Sequence, residues 1–313
     1  MNLANVYDSL FSQTYDSEDL EKAISPHREA LFLCPPDHEK KDILLVNLGI
    51  SLISRFRNFG RMDCSEAISH FRAALRLCPQ GHPRCQRFLS GLAHALHCRC
   101  YRTHRMEDLE ETINLERENL ALTPPGHPMR PQRLHNFSLT LRTQYAWTGD
   151  MGYIEEGIEH LYKASKLVKS GDPISRSILH QLAVNLLDRF KHRGADKDMA
   201  DAIKHYRTSI SLIPEGHPQA SSMLSNFASG LYSIYSRTGD AEHLEESIAL
   251  SRSAAEYPFS SARERLIAAY NWTVTAHCTR HSSALTAYRK ALSLLQRARD
   301  LGPTVQTRLL HLS

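Results

Sequence analysis

The chain has 313 residues, of which 42% are apolar, and a formal net charge of +4 from 38 basic and 34 acidic side chains. The apolar content suffices for a continuous core, and so mild a charge gives no reason to propose a nucleic-acid partner. No apolar run approaches the roughly 20 residues of a membrane span, and the opening MNLANVYDSLFSQTYD lacks the basic start and apolar centre of a signal peptide.

Along the chain an isoleucine returns at Ile24, Ile68, Ile113, Ile158, Ile203 and Ile248, at one step of 44 and four of 45 residues. A fixed period in this range marks a stacked repeat, and it overrides the length prior of two globular domains. In chain order it predicts helix pairs at 1–33, 40–78, 83–122, 128–169, 173–213, 218–256 and 260–299, with 300–313 as a C-terminal tail of one array over 1–313. The first unit starts at Asn2-Leu3-Ala4, which aligns with Asn47-Leu48-Gly49, so its first helix is expected to lack a turn or more. Pro26 falls inside its second helix, where it costs on the order of 3 kcal/mol, so that helix is expected to be kinked or frayed.

In the second unit Leu48, Leu52 and Phe56 are four apart and share one helix face. Equivalent apolar residues return as Phe137, Leu182 and Phe227, each followed by an aromatic at Tyr145, Phe190 and Tyr235 and then by Gly149, Gly194 and Gly239, with Gly60 as their counterpart in the second unit. A glycine there suits a left-handed helix C-cap, and Asp150, Asp196 and Asp240 just beyond it suit the next helix N-terminus. Between units, Gly81-His82-Pro83, Gly126-His127-Pro128 and Gly216-His217-Pro218 stop one helix and begin another, with variants at Pro36-Asp37-His38 and Gly171-Asp172-Pro173. In the shortened last unit Leu285 stands in for the isoleucine, 37 residues after Ile248. Neither end has the polar outer face of a capping repeat, so the array is expected to be part of something longer, covered by a partner, or self-associating through its ends.

The unit Asn226-Phe227-Ala228, Gly239, Leu244-Glu245-Glu246-Ser247-Ile248 with its Gly-His-Pro turn resembles a long, kinesin-light-chain-like tetratricopeptide (TPR) repeat. The stretch Ala284–Leu292 is similar to the last repeats of fungal TPR arrays that precede a CHAT domain, a caspase-like protease module, and no such module follows here. The resemblance implies an all-α, right-handed TPR-like α-solenoid of about seven antiparallel helix pairs. It also implies that the first helix of each pair lines a concave groove and that its asparagine can bond a peptide backbone there.

The candidate peptide-binding residues are therefore Asn47, Asn136, Gln181 and Asn226, with Asn2 in the same register and Gly91 interrupting it. An asparagine offers a donor and an acceptor together; the competing reading is an amide that only fixes the stacking of neighbouring repeats. Four residues after each repeat marker come Arg28, Arg72, Arg117, Arg207, Arg252 and Arg289, broken by Tyr162. These guanidiniums can take an acidic partner, or cover the core with their stems and bond a loop or carboxylate.

His94, His97, Cys98 and Cys100, with His104 nearby, look like metal ligands, yet Cys100 takes a core aromatic slot, so no metal site is assigned. The turn histidines lie one repeat apart, too far to share an ion, and are read as turn packing. The glycosylation sequons at Asn136 and Asn271 fall inside helices and are discounted. Seven cysteines at irregular positions suit free thiols in a reducing compartment, hence a cytoplasmic protein. With no phosphate loop and no nucleophile–base motif, neither an enzyme nor a cofactor is expected. The reading is a non-catalytic scaffold for a protein or peptide, with no nucleic-acid or membrane partner; the alternative is the sensor arm of a CHAT-type protease.

Overall fold

The computed structural model describes residues 3–14, 17–59, 64–79, 82, 84–169 and 171–300. Asn2 and Gly60 lie outside them. Among the described residues there are helices and no strands. The helices are α1 (Leu3–Thr14), α2 (Ser17–Leu33), α3 (Lys41–Phe59), α4 (Cys64–Leu77), α5 (Arg84–Thr103), α6 (Met106–Ala121) and α7 (Arg130–Thr148). They continue as α8 (Met151–Leu167), α9 (Pro173–Arg193), α10 (Asp196–Ser211), α11 (Ala220–Thr238), α12 (Ala241–Glu256), α13 (Ala262–Cys278) and α14 (Ala284–Asp300). Two compact units, 1–140 and 141–313, divide inside α7. In each, an odd-numbered helix, here called A, packs on the even-numbered helix B after it, and B packs on the next A. This is an all-α, TPR-like α-solenoid arrangement.

Turn chemistry sets the helix ends. Gly149, Gly194 and Gly239 all adopt left-handed backbone, with φ of 72°, 72° and 73°. Each donates its N–H to the carbonyl of the aromatic four residues earlier, Tyr145, Phe190 or Tyr235. In α5 the same bend falls on His104, at φ 54°, which donates to the Cys100 carbonyl. Asp150 and Asp240 cap the following B helices by accepting from the Gly152 and Glu242 N–H groups. Asp196 differs: it is already the first residue of α10, where its charge faces the positive end of the helix dipole. The turn histidines also act as caps. The Nδ1 atoms of His38, His82, His127 and His217 accept from the N–H two residues on, at 3.1–3.2 Å.

The core follows the period. Ile24, Ile68, Ile113, Ile158 and Ile248 are buried and Ile203 is half-buried. One residue before and six after the isoleucine sit buried small or compact residues in α4, α8 and α12, namely Ala67 and Ala74, Gly157 and Ala164, and Ser247 and Ala254. These let B lie close to A. In α14 the fully buried pair seven apart is Ala287 and Leu294, which puts Tyr288 in the isoleucine slot, 40 residues after Ile248. The assignment of Leu285 to that slot is thereby corrected: Leu285 is 71% exposed. The cause is that α13 ends early, at Cys278, and a longer turn precedes α14.

Two further expectations change. α2 runs through Pro26 without a break from Ser17 to Leu33, so no fraying occurs there. Cys78 and Cys85 form a disulfide across the turn between α4 and α5, with a Cα–Cα distance of 6.0 Å. The reading of every cysteine as a free thiol fails for this pair. Its period equivalents are Thr123 and Arg130 in one unit and Ile213 and Ala220 in another, so the repeat carries no hint of the bridge. Cys34, Cys64, Cys98, Cys100 and Cys278 are not disulfide-bonded.

Candidate functional site

The A helices place their amide residues on one face because the apolar marker that follows each is held in the core. Leu48, Phe137, Leu182 and Phe227 are buried, so the residue before each turns toward the rim of the helix. Asn47 and Asn136 are half-buried, Gln181 is buried and Asn226 is exposed. Asn47 Oδ1 accepts from Arg87 Nη2 of the next A helix at 3.4 Å. Asn136 Oδ1 accepts from Gln132 Nε2 at 2.7 Å. Gln181 Nε2 donates to Asn185 Oδ1 at 2.8 Å, and Asn226 Nδ2 to His180 Nε2 at 3.1 Å. Each amide thus spends one of its two polar groups inside the protein. Among the described residues the Nδ2 of Asn47 and Asn136, Gln181 Oε1 and Asn226 Oδ1 keep their bonding capacity open.

The register has a further member that sequence reasoning missed. Asn271 lies 45 residues after Asn226, and its Nδ2 donates to Ser225 Oγ of the preceding A helix at 3.0 Å. Its appearance as a glycosylation sequon masked the arithmetic. Three residues beyond the amides, one helical turn along the same face, sit Ile50, Leu139 and Val274, which are exposed, and Val184, which is half-buried. Asn47, Asn136, Gln181 and Asn271 thus each have an apolar side chain one turn on, whereas Asn226 has Ser229. Gly91 interrupts it for a packing reason: a Cβ there would come within 2.1 Å of the Phe71 ring, which also lies against Gly49.

The arginine ladder is a different kind of surface. Arg28 Nη2 meets Glu66 at 2.8 Å, Arg72 Nη2 meets Glu111 at 2.7 Å, and Arg207 Nη2 meets Glu246 at 3.1 Å. Each glutamate lies two residues before the next isoleucine, so the ladder links consecutive B helices. Arg252 pairs with Glu256 instead and lies over the Trp272 ring, as Arg117 lies over Phe137. Leu292, four residues after Tyr288, holds the arginine slot in α14, so Arg289 is not a member. Inside the pairs, Arg99 and Arg189 each bond a buried aspartate at the start of B, Asp108 and Asp198, and these bonds raise both guanidinium pKa values.

A polar cluster interrupts the core between α5, α6 and α7. Glu116 takes the slot held by Phe71 in α4 and Leu161 in α8. Burial pushes its carboxyl up to about 7, against the opposing pull of Arg133, whose own pKa burial lowers. Arg133 also bonds Ser90 Oγ, which accepts from Asn119 Nδ2 at 2.6 Å.

The cysteine–histidine cluster on α5 is dispersed: His94 is exposed, while Cys98 and Cys100 are buried. Burial, with the Asp108 charge, pushes the Cys100 thiol up to about 11, and burial lowers His97. Among the described residues no group of three histidine, cysteine or acidic side chains can hold a metal ion. No described helix is long and apolar enough to cross a membrane.

Solved structures share this arrangement of helix pairs. A tetratricopeptide repeat protein from Parabacteroides merdae ATCC 43184 matches with a TM-score of 0.56 at 16% identity, over 92% of this chain and 93% of that one. The Cut9–Hcn1 hetero-tetramer of the APC/C matches with a TM-score of 0.56 at 13% identity, over 98% of this chain and 51% of that one. The chain has the tetratricopeptide-repeat fold. At these identities the likeness is one of TPR architecture alone, and this chain spans about half of the TPR chain it matches in the Cut9 complex. No protein-family model matches the sequence, and no curated protein matches it.

Proposed function

We propose that this chain is a non-catalytic scaffold that binds an extended peptide or a helix of a partner protein on its A-helix face. The observation that carries the reading is the half-used amide. Asn47, Asn136, Gln181 and Asn226 are each fixed by one internal bond and keep the complementary polar group open, beside an apolar neighbour at Asn47, Asn136 and Gln181 and beside Ser229 at Asn226. A peptide backbone needs that combination: alternating donors and acceptors for the main chain, and apolar ground for its side chains. In TPR folds this face lines the groove, and Asn271 extends the set. The bonds of Asn47, Asn226 and Asn271 also tie neighbouring A helices, so at these positions stacking and binding are two uses of one side chain.

A single array over 1–313, protein rather than nucleic-acid or lipid partners, and residence in the cytoplasm belong to the same proposal. The five cysteines that are not disulfide-bonded support that location, and the Cys78–Cys85 disulfide is the observation against it. Alkylation of the protein in intact cells separates the two, because a bridge that persists there contradicts the location. For the function, a pull-down compares wild type with the Asn47→Ala, Asn136→Ala, Asn226→Ala triple variant. Loss of partners with an unchanged helical spectrum is expected, and unchanged recovery contradicts the role given to the amides.

A further inference from the structure

The last described helix carries a surface unlike that of the other described B helices. Leu285, Tyr288, Leu292 and Leu295 follow the spacing i, i+3, i+7 and i+10 and form one stripe along α14. All four are exposed, Leu285 by 71% and Leu292 by 58%. Their slots give the stripe its meaning. Tyr288 holds the isoleucine position, which is buried in five of the six preceding B helices. Leu285 replaces the glutamate found at Glu110, Glu155 and Glu245, and Leu292 replaces the arginine of the B-helix ladder. The polar outer edge of the repeat has thus become apolar in this one helix, while its inner side, Ala287 and Leu294, packs normally. A seam of this width and period is what a helix presents to another helix.

The charge beside the stripe selects the occupant. Over 284–296 α14 carries Arg289 and Lys290 and no acidic residue. A second copy of α14 would bring basic residues against basic residues. Residues 301–313 contain Arg308 and no aspartate or glutamate, so they too lack the complementary charge. Interior B helices pack against the following A helix, and Arg28, Arg72 and Arg207 are met by a carboxylate of the next B helix. We propose that the outer face of α14 docks an acidic amphipathic helix of a partner protein, with leucine and aromatic side chains filling the seam and flanking carboxylates meeting Arg289 and Lys290. This site is separate from the A-helix face.

The test uses the full chain and a fluorescent synthetic peptide of the α6 sequence, MEDLEETINLERENLA, an amphipathic helix with six acidic residues and one basic. Fluorescence anisotropy is expected to show saturable binding that weakens as salt rises. Leu292→Asp is expected to weaken it about tenfold or more, as loss of one covered leucine does, and Arg289→Glu to weaken it while restoring binding to a peptide whose acids are replaced by lysine. Both substitutions are at exposed positions, and unchanged thermal unfolding confirms the fold. The triple Asn→Ala variant is expected to bind the peptide as wild type does, which separates this site from the proposed A-helix function. The proposal is overturned by absence of saturable binding, by binding indifferent to both α14 substitutions, by binding that appears only after removal of residues 301–313, or by concentration-dependent dimerisation that the peptide does not compete.

Discussion

The A-helix and B-helix faces both carry polar ladders at the repeat period, yet they are built to opposite ends. On the B face an arginine of one repeat meets a glutamate of the next, as in Arg28–Glu66, Arg72–Glu111 and Arg207–Glu246. Charge is matched there within the chain. On the A face each amide makes one internal bond and keeps its second group open, and Asn47, Asn136 and Asn271 have Ile50, Leu139 and Val274 a turn away. Periodic polar residues alone therefore do not identify a binding surface. What distinguishes the two faces is whether the bonding capacity of each side chain is used up by its neighbours.

The sharpest way to break that contrast is at the place where the A ladder stops. Phe71 fills the space that a side chain at position 91 would need. Phe71→Ala is expected to cost about 3–4 kcal/mol in denaturant unfolding, as other buried phenylalanines do. Gly91→Ala is expected to cost about 1–3 kcal/mol by overpacking, and the two together are expected to cost less than their sum, because the truncated ring makes room. Additive losses would mean that Gly91 is not dictated by that ring.

Glu116 interrupts the B helices at the same junction. Its folded pKa of about 7 lies above its ordinary value, so the folded protein takes up a proton as pH falls through 7. Its contribution is most favourable below pH 4.5 and is lost as pH rises through about 7. Glu116→Gln is expected to gain about 2–3 kcal/mol over wild type at pH 8 and little at pH 4.5. A pH-independent difference in urea midpoints would contradict the burial of an ionisable carboxyl there.

The B-face pairs give the smallest effect. Arg72 and Glu111 are 45% and 37% exposed, so Arg72→Ala is expected to cost about 0.2–1 kcal/mol and less at high salt. A larger, salt-insensitive loss would show that the stem of Arg72, not its charge, is what matters.

The helix pairs, their glycine caps and the buried isoleucines could be read from the sequence because each recurs, and six copies of one signal outweigh local ambiguity. What could not be read is what happens once. The Cys78–Cys85 bridge closes a single turn, and the left-handed bends at His104 and Arg280 fall on residues other than the glycine of the remaining repeats. The register of α14 slipped for the same reason: α13 ends early, and only the burial of Ala287 and Leu294 shows which side of α14 faces inward. At the candidate face the amide positions followed from the period. Gln132 and Asn185 lie four residues away on the same helix and could have been paired by spacing, but Arg87 and His180 could not, because helices far apart in sequence meet at angles that spacing does not encode. The Arg–Glu ladder was half visible, since its arginines were noticed without the glutamates 38 or 39 residues on.

The central claim is that the A face binds and the arginine–glutamate ladder of the B helices does not. The most direct measurement is amide hydrogen exchange of the full chain with and without a partner recovered by pull-down. Added protection in α3, α7, α9 and α11, the helices that carry Asn47, Asn136, Gln181 and Asn226, with α4, α10 and α12 unchanged, is the result predicted. Protection centred on the arginine-bearing B helices would contradict it.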